Sequence, residues 1–288
     1  MILGGVVLSY VVSELLLLPR MQQTVFRSLE VALQWPRSTR GVVAVDRNLT
    51  QVPEGVRQLT SLERLELGYN RIDHLPEWLT ANRKIVWISL RSNHLSAFPS
   101  ELAGMRNLRV LWLMDNEIAQ LPSTIGKLKS LEQLDVSCNR LALLPAEVGE
   151  LGALKELGAA NNLLTRLPPE IGALRNVELL ELDGNLLTCL PPEIGKLPRL
   201  KALFIQNNRL CGFPDEIADL AGLTFVKADG NRLSAKAQER LRRLLPHTQI
   251  EFGIQQETTG VEQAAAKRGN AGSRTAGNNS VEAPATHK

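Results

Sequence analysis

Seven carboxylates in this 288-residue chain fall into step with one another: Asp46, Glu66, Asp115, Asp135, Glu181, Asp183 and Asp229. Only two bases, Arg91 and Lys227, share their register, which also holds Tyr69, Trp112, Met114 and Phe204. Large apolar side chains among like charges suit recognition, because the apolar bulk supplies contact and the carboxylates select a basic partner. The chemistry expected is the docking of a basic, partly apolar protein surface around Trp112–Asp135. Tyr69, Arg91, Met114, Asp115, Glu181, Asp183 and Phe204 would complete that surface.

Covalent and metal chemistry have less to stand on. His74, His94, His247 and His287 share no ligand spacing with one another or with Cys138, Cys189 and Cys211. No glycine-rich phosphate loop, kinase motif set or G-x-S-x-G elbow is present. Cys138 sits in the register of the carboxylates but has no histidine in its own stretch. No catalytic residue, cofactor or metal is expected. A net charge of +3 gives no case for nucleic acid. Three dispersed cysteines fit a reducing, cytoplasmic compartment.

The register is set by a period. Asparagine returns every 23 positions at Asn70, Asn93, Asn116, Asn139, Asn162, Asn185, Asn208 and Asn231, and a proline keeps the same step from Pro53 to Pro214. Such a repeat means one structural unit stacked many times. The unit reads L-x-L-x-x-N-x-L-x-x-L-P-x-x-I-G-x-L-x-x-L-x-x, most cleanly from Leu134 to Leu154. Alternation in L-x-L predicts a short strand with leucines inward. Nine such segments start at Val42, Leu65, Ile88, Leu111, Leu134, Leu157, Leu180, Leu203 and Val226. The asparagines should form a structural ladder, since a buried amide must bond the backbone groups of its own and the adjacent unit. Proline fixes φ on the return path, and Ile-Gly pairs suit a short helical turn packed closely on the outer side. Strands then lie on the narrow, concave side, and the candidate site is formed by the variable residues between the two leucines, after the second, and before the asparagine.

This pattern is identified as that of the leucine-rich repeat, and its L-P-x-x-I-G-x-L variant resembles the plant intracellular Ras-group-related proteins. It is also similar to the animal Ras-scaffold leucine-rich repeat proteins and to bacterial cytoplasmic repeat proteins. The resemblance covers residues 42–233 and implies an α/β, right-handed, curved solenoid with parallel strands on the concave face. It further implies a non-enzymatic, intracellular signalling module, monomeric, with a small GTPase or a kinase or phosphatase component as protein partner. Two other readings stay open: a membrane-tethered receptor using residues 1–19, and a targeting subunit of a phosphatase or ubiquitin ligase complex.

The ends follow from composition. Residues 1–20 are an apolar extension, with Glu14 counting against a membrane span. Residues 21–41 should form an N-terminal helical cap, with Val25, Phe26, Leu29, Ala32 and Leu33 on one face. Residues 42–233 are the solenoid. Residues 234–252 should hold a C-terminal cap helix opened by Ser234 and stopped by Pro246, then a short strand at Ile250–Phe252. Residues 253–288 have almost no large apolar side chain and are expected to be disordered.

Overall fold

The computed structural model describes residues 25–253. The apolar extension at 1–20 and, apart from Gly253, the tail at 253–288 lie outside the described residues.

The 23-residue period becomes one parallel sheet in sequence order. Its strands are β1 Val25–Phe26, β2 Gly41–Val43, β3 Arg64–Glu66, β4 Trp87–Ser89, β5 Val110–Trp112 and β6 Gln133–Asp135. They continue as β7 Glu156–Gly158, β8 Leu179–Glu181, β9 Ala202–Phe204, β10 Phe225–Lys227 and β11 Gln249–Glu251. Register is strict from β2 to β10, so Leu65 pairs with Ile88, Leu111 with Leu134 and Leu157 with Leu180. Eight five-residue 3-10 turns, from Glu54–Gln58 to Asp215–Asp219, form the opposite wall, each preceded by the periodic proline in extended conformation.

Between the two walls lies a leucine core. Leu65, Leu67, Ile72, Leu59 and Leu62 of one unit are each fully buried, and the same positions hold buried apolar residues in every later unit except at half-buried Asn82. A fully buried leucine contributes about 1.5–3 kcal/mol, so the stacked rows are the main stabilising feature. The Ile-Gly pairs explain how the outer wall closes. A Cβ on Gly172 would lie 2.4 Å from the Glu193 carbonyl oxygen, and one on Gly195 would lie 2.1 Å from that of Glu216. Only glycine lets neighbouring turns come so near.

The asparagine ladder forms throughout. Each Nδ2 donates to carbonyls two, three and twenty-six residues earlier, and each Oδ1 accepts the N–H twenty-one residues earlier. For Asn139 the accepting carbonyls are Ser137, Val136 and Leu113 at 2.9–3.1 Å, and the Ile118 N–H donates to its Oδ1 at 2.9 Å. The amide thus stitches its own strand end to the preceding unit. The seven ladder residues from Asn70 to Asn208 are 3–8% exposed.

The residue before each ladder asparagine, and Asp46 before Arg47 at the same step of the first unit, is left-handed. Asp46, Tyr69, Ser92, Asp115, Cys138, Asn161 and Asn207 have φ of 51–57°, and Gly184 and Gly230 have 63° and 68°. The chain leaves the strand there, and Asn, Asp and Gly tolerate that conformation best.

Both caps differ in detail from expectation. Instead of one helix across 21–35, Val25–Phe26 pairs with Gly41–Val42 as an added strand, and the helix α1 is only Leu29–Leu33. Ser28 interrupts the pattern by accepting the Val31 N–H, and β-branched Val25 suits a strand. The C-terminal helix α2, Ala235–Leu244, is capped by Ser234 through the Ala237 N–H and buries Leu241, and β11 follows at Gln249–Glu251, one residue before the expected Ile250–Phe252. Its basic face is occupied locally: Arg240 pairs with Asp215, and Arg242 lies over the Phe252 ring at 4.9 Å.

Candidate interaction face

Strand alternation puts three residues of each unit on the open face of the sheet. Two of these columns are the slots anticipated above, running through Glu66 to Lys227 and Gly68 to Asp229. The third precedes the first core residue and was missed: Arg64, Trp87, Val110, Gln133, Glu156, Leu179, Ala202 and Phe225. Extending the L-x-L alternation one residue backward would have found it.

In the N-terminal half of this face one buried carboxylate meets two bases. The Glu66 side chain is 3% exposed and lies 3.7 Å from the Arg64 guanidinium and 4.0 Å from that of Arg91. It also accepts the Gly68 N–H at 3.3 Å. Burial pushes its carboxyl up, while Ser89, Arg91 and Arg64 pull the other way. Arg64 stacks over the Trp87 ring at 3.9 Å, and Arg91 faces the Tyr69 ring at 5.2 Å. Tyr69 is 52% exposed.

Trp112 is not the projecting anchor expected of it. It is 3% exposed and packs with Trp87 and Val110 in an apolar cluster separate from the leucine core. The residue that covers it, Trp87, stands in the missed column. Asp135 is likewise buried, at 5% exposed. Its Oδ1 accepts the Ser137 N–H at 2.8 Å, and Ser137 Oγ in turn accepts the Ala160 N–H at 3.1 Å. The carboxylate leans over Gly158, where a Cβ would come within 2.8 Å of Oδ1. Burial pushes Asp135 up despite its Ser137 bonds.

Beyond Gly158, Glu181 has no compensating base. Glu181 is pushed to about 8, by burial first and then by Asp135, Asp183 and Glu156, with no group lowering it. Asp183 is pushed to about 6 by burial; its bond from the Gln206 N–H at 2.9 Å and the charge of Lys227 oppose the rise, and Asp229 adds to it. Glu156 is raised by burial, with Gln133 opposing. Phe204 and Phe225 pair beside these acids, 5.4 Å between centroids at 54°, both half-buried.

Met114 is half-buried at the edge of the tryptophan cluster's strand, and Asp115 is exposed. Asp115 occupies the left-handed column, so its residue type answers a backbone need as well as any partner. Cys138 occupies the same column; burial pushes its thiol up, and it takes a 3.8 Å contact from Asn161 Nδ2. The structure therefore joins Arg91 with Tyr69 and Glu181 with Asp183, Asp135 and Phe204, in two separate groups. No set of three or more His, Cys, Asp or Glu among the described residues could hold a metal ion.

A family model described as leucine rich repeat matches residues 175–233. Among solved structures, the plant peptide hormone receptor RGFR1, in complex with RGF2, superposes with a TM-score of 0.64 at 23% identity. That match covers 80% of this chain and 38% of the receptor's. The fold is the leucine-rich repeat solenoid. A Leptospira interrogans leucine-rich repeat protein also matches, at 22% identity and a TM-score of 0.34, covering 79% of this chain and 99% of its own. No curated protein sequence matches the chain. No solenoid helix among the described residues is long and apolar enough to cross a membrane.

Proposed function

We propose that the solenoid is a non-enzymatic protein-interaction module that docks its partner on the open face of the sheet. One observation carries this reading. Half-buried Phe204 and Phe225 share the open face with Asp135, Glu156, Glu181, Asp183 and Asp229, and from β6 to β10 Lys227 is the lone base in those columns. A scaffold with no partner gains nothing from like charges held together on an uncovered face, since each raises the cost of ionising the next. The likeness of the repeats to Ras-scaffold families supports a cytoplasmic signalling role, with a small GTPase or a kinase or phosphatase component as partner.

The docking centre lies further along the solenoid than Trp112–Asp135, because Trp112 and Asp135 are already buried. Affinity purification with the wild-type chain and with Glu181→Lys/Asp183→Lys tests this. Loss of the captured partner by the double variant, at unchanged folding, is the expected result. Undiminished capture would overturn the reading.

A further inference from the structure

Resting on that reading, we infer that the sheet face of β8–β10 receives an extended partner segment in which a lysine or arginine stands next to an aromatic or large aliphatic residue. The apolar side chain would lie on Phe204 and Phe225, and the cation would meet Glu181 and Asp183.

Three features of the face lead there. The first is its floor: Leu179, Ala202 and Phe225 are register partners in one row, as are Glu181, Phe204 and Lys227 in the next, and all six are half-buried. Apolar and acidic groups thus alternate at one strand's spacing. A ligand satisfying both must carry the two chemistries on adjacent residues.

The second is a contrast along the solenoid. Glu66 and Glu181 stand in the same column. Glu66 has Arg64 and Arg91 within 4.0 Å. Glu181 is faced by Asp135 from β6, Glu156 from β7 and Asp183 from its own strand, and β9 offers it uncharged Phe204 and Gln206. Lys227 of β10 acts on Asp183. The pairing supplied internally at one end is left for an outside cation at the other.

The third is room. On β7 the residues beside Glu181 and Asp183 are Gly158 and Ala160, neither with a side chain larger than a methyl. A cation that meets Glu181 and Asp183 turns their mutual repulsion into a shared attraction. Because Glu181 and Asp183 hold protons up to about 8 and about 6, cation entry should expel protons, and binding should tighten as pH rises from 5.5 to 8.

The test uses the full chain on a column and three pools of amidated nonapeptides with random flanks and a fixed central Phe-Arg, Phe-Gln or Phe-Glu pair. The Phe-Arg pool should be retained at least about tenfold better than the Phe-Gln pool, a difference of about 1.4 kcal/mol. The Phe-Glu pool should be retained least. Glu181→Gln with Asp183→Asn, neutral changes the fold accommodates, should reduce Phe-Arg retention to the Phe-Gln level and abolish its rise with pH. Trp35→Ala, at an exposed side chain on the N-terminal cap, should leave it unchanged. Equal retention of the Phe-Arg and Phe-Gln pools, or full retention by the double variant, would overturn the inference. If Tyr69→Ala alone lost binding, the open face would remain the docking surface and only its location and cationic chemistry would be wrong. Failure of every pool, together with undiminished lysate capture by the charge-reversed variant, would sink both readings.

Discussion

The ring of Trp112 packs edge-on against that of Trp87, 4.9 Å between centroids and 73° between planes. Arg64 stacks on the far partner of that pair, and Val110 completes the cluster. A small second core therefore sits on the open side of the sheet, where strand alternation alone would place solvent-facing side chains. Trp112→Ala should accordingly behave as a stability variant, costing about 3–5 kcal/mol as other buried large-to-alanine changes do. Urea midpoints would show this. A Trp112→Ala chain as stable as wild type would mean that the cluster contributes no packing.

The ladder predicts an ordering of variants. Asn139→Ala strands the carbonyls of Leu113, Val136 and Ser137, and should cost about 1–3 kcal/mol for each strongly buried group left unpaired. Asn139→Asp should be worse near neutral pH, because it turns a carboxylate oxygen toward the same three carbonyls. The equivalent change at half-buried Asn231 should be milder. Denaturation of the three variants side by side tests the order, and an Asp variant as stable as wild type would contradict it.

Close packing of the outer turns gives a third expectation. A Cβ at Gly172 meets backbone, the Glu193 carbonyl, which cannot swing aside as a side chain can. Gly172→Ala should therefore destabilise by about 1–3 kcal/mol, although alanine favours helical turns over glycine. Gly152→Ala, with nothing within 4 Å of its Cβ, is the control and should be neutral or slightly stabilising.

Stability should fall as pH rises from about 5 to about 8. Glu181 and Asp183 have folded values of about 8 and about 6, above the usual 4.5 and 3.8. The folded state then binds more protons than the unfolded state between those limits, so deprotonation favours unfolding. Burial would raise Glu132, but the bonds from Lys155 and Arg109 outweigh it and leave it lowered; its stabilisation is lost below the usual range, which places the optimum near pH 5. Thermal melts at pH 5 and pH 8 should show the drop, and Glu181→Gln should flatten it. A melting temperature that is equal or higher at pH 8 would refute the assignment.

The repeat made most of the fold legible. A proline, an asparagine and two leucines at constant spacing specify a strand, a turn and a return path in each unit, and identical units stack in only one register. The caps were less legible because they occur once each. Nothing repeats to show that Ser28 ends an extended stretch and opens a shorter helix, or that Val25 would find Gly41 as a strand partner.

The candidate site divides along the same line. The sequence determined which residues share a face, because strand alternation is local and the 23-residue period carries it from unit to unit. It also determined that this face is acidic. Tertiary structure alone decided which of those residues remain available. Trp112 is covered by Trp87, and Glu66 is neutralised by Arg64 and Arg91, through contacts across neighbouring strands. Glu181, in the same column, meets Gly158 on one side and Phe204 on the other and finds no base. Burial and charge balance depend on the sizes and signs of side chains one strand away, which neither the period nor the composition encodes.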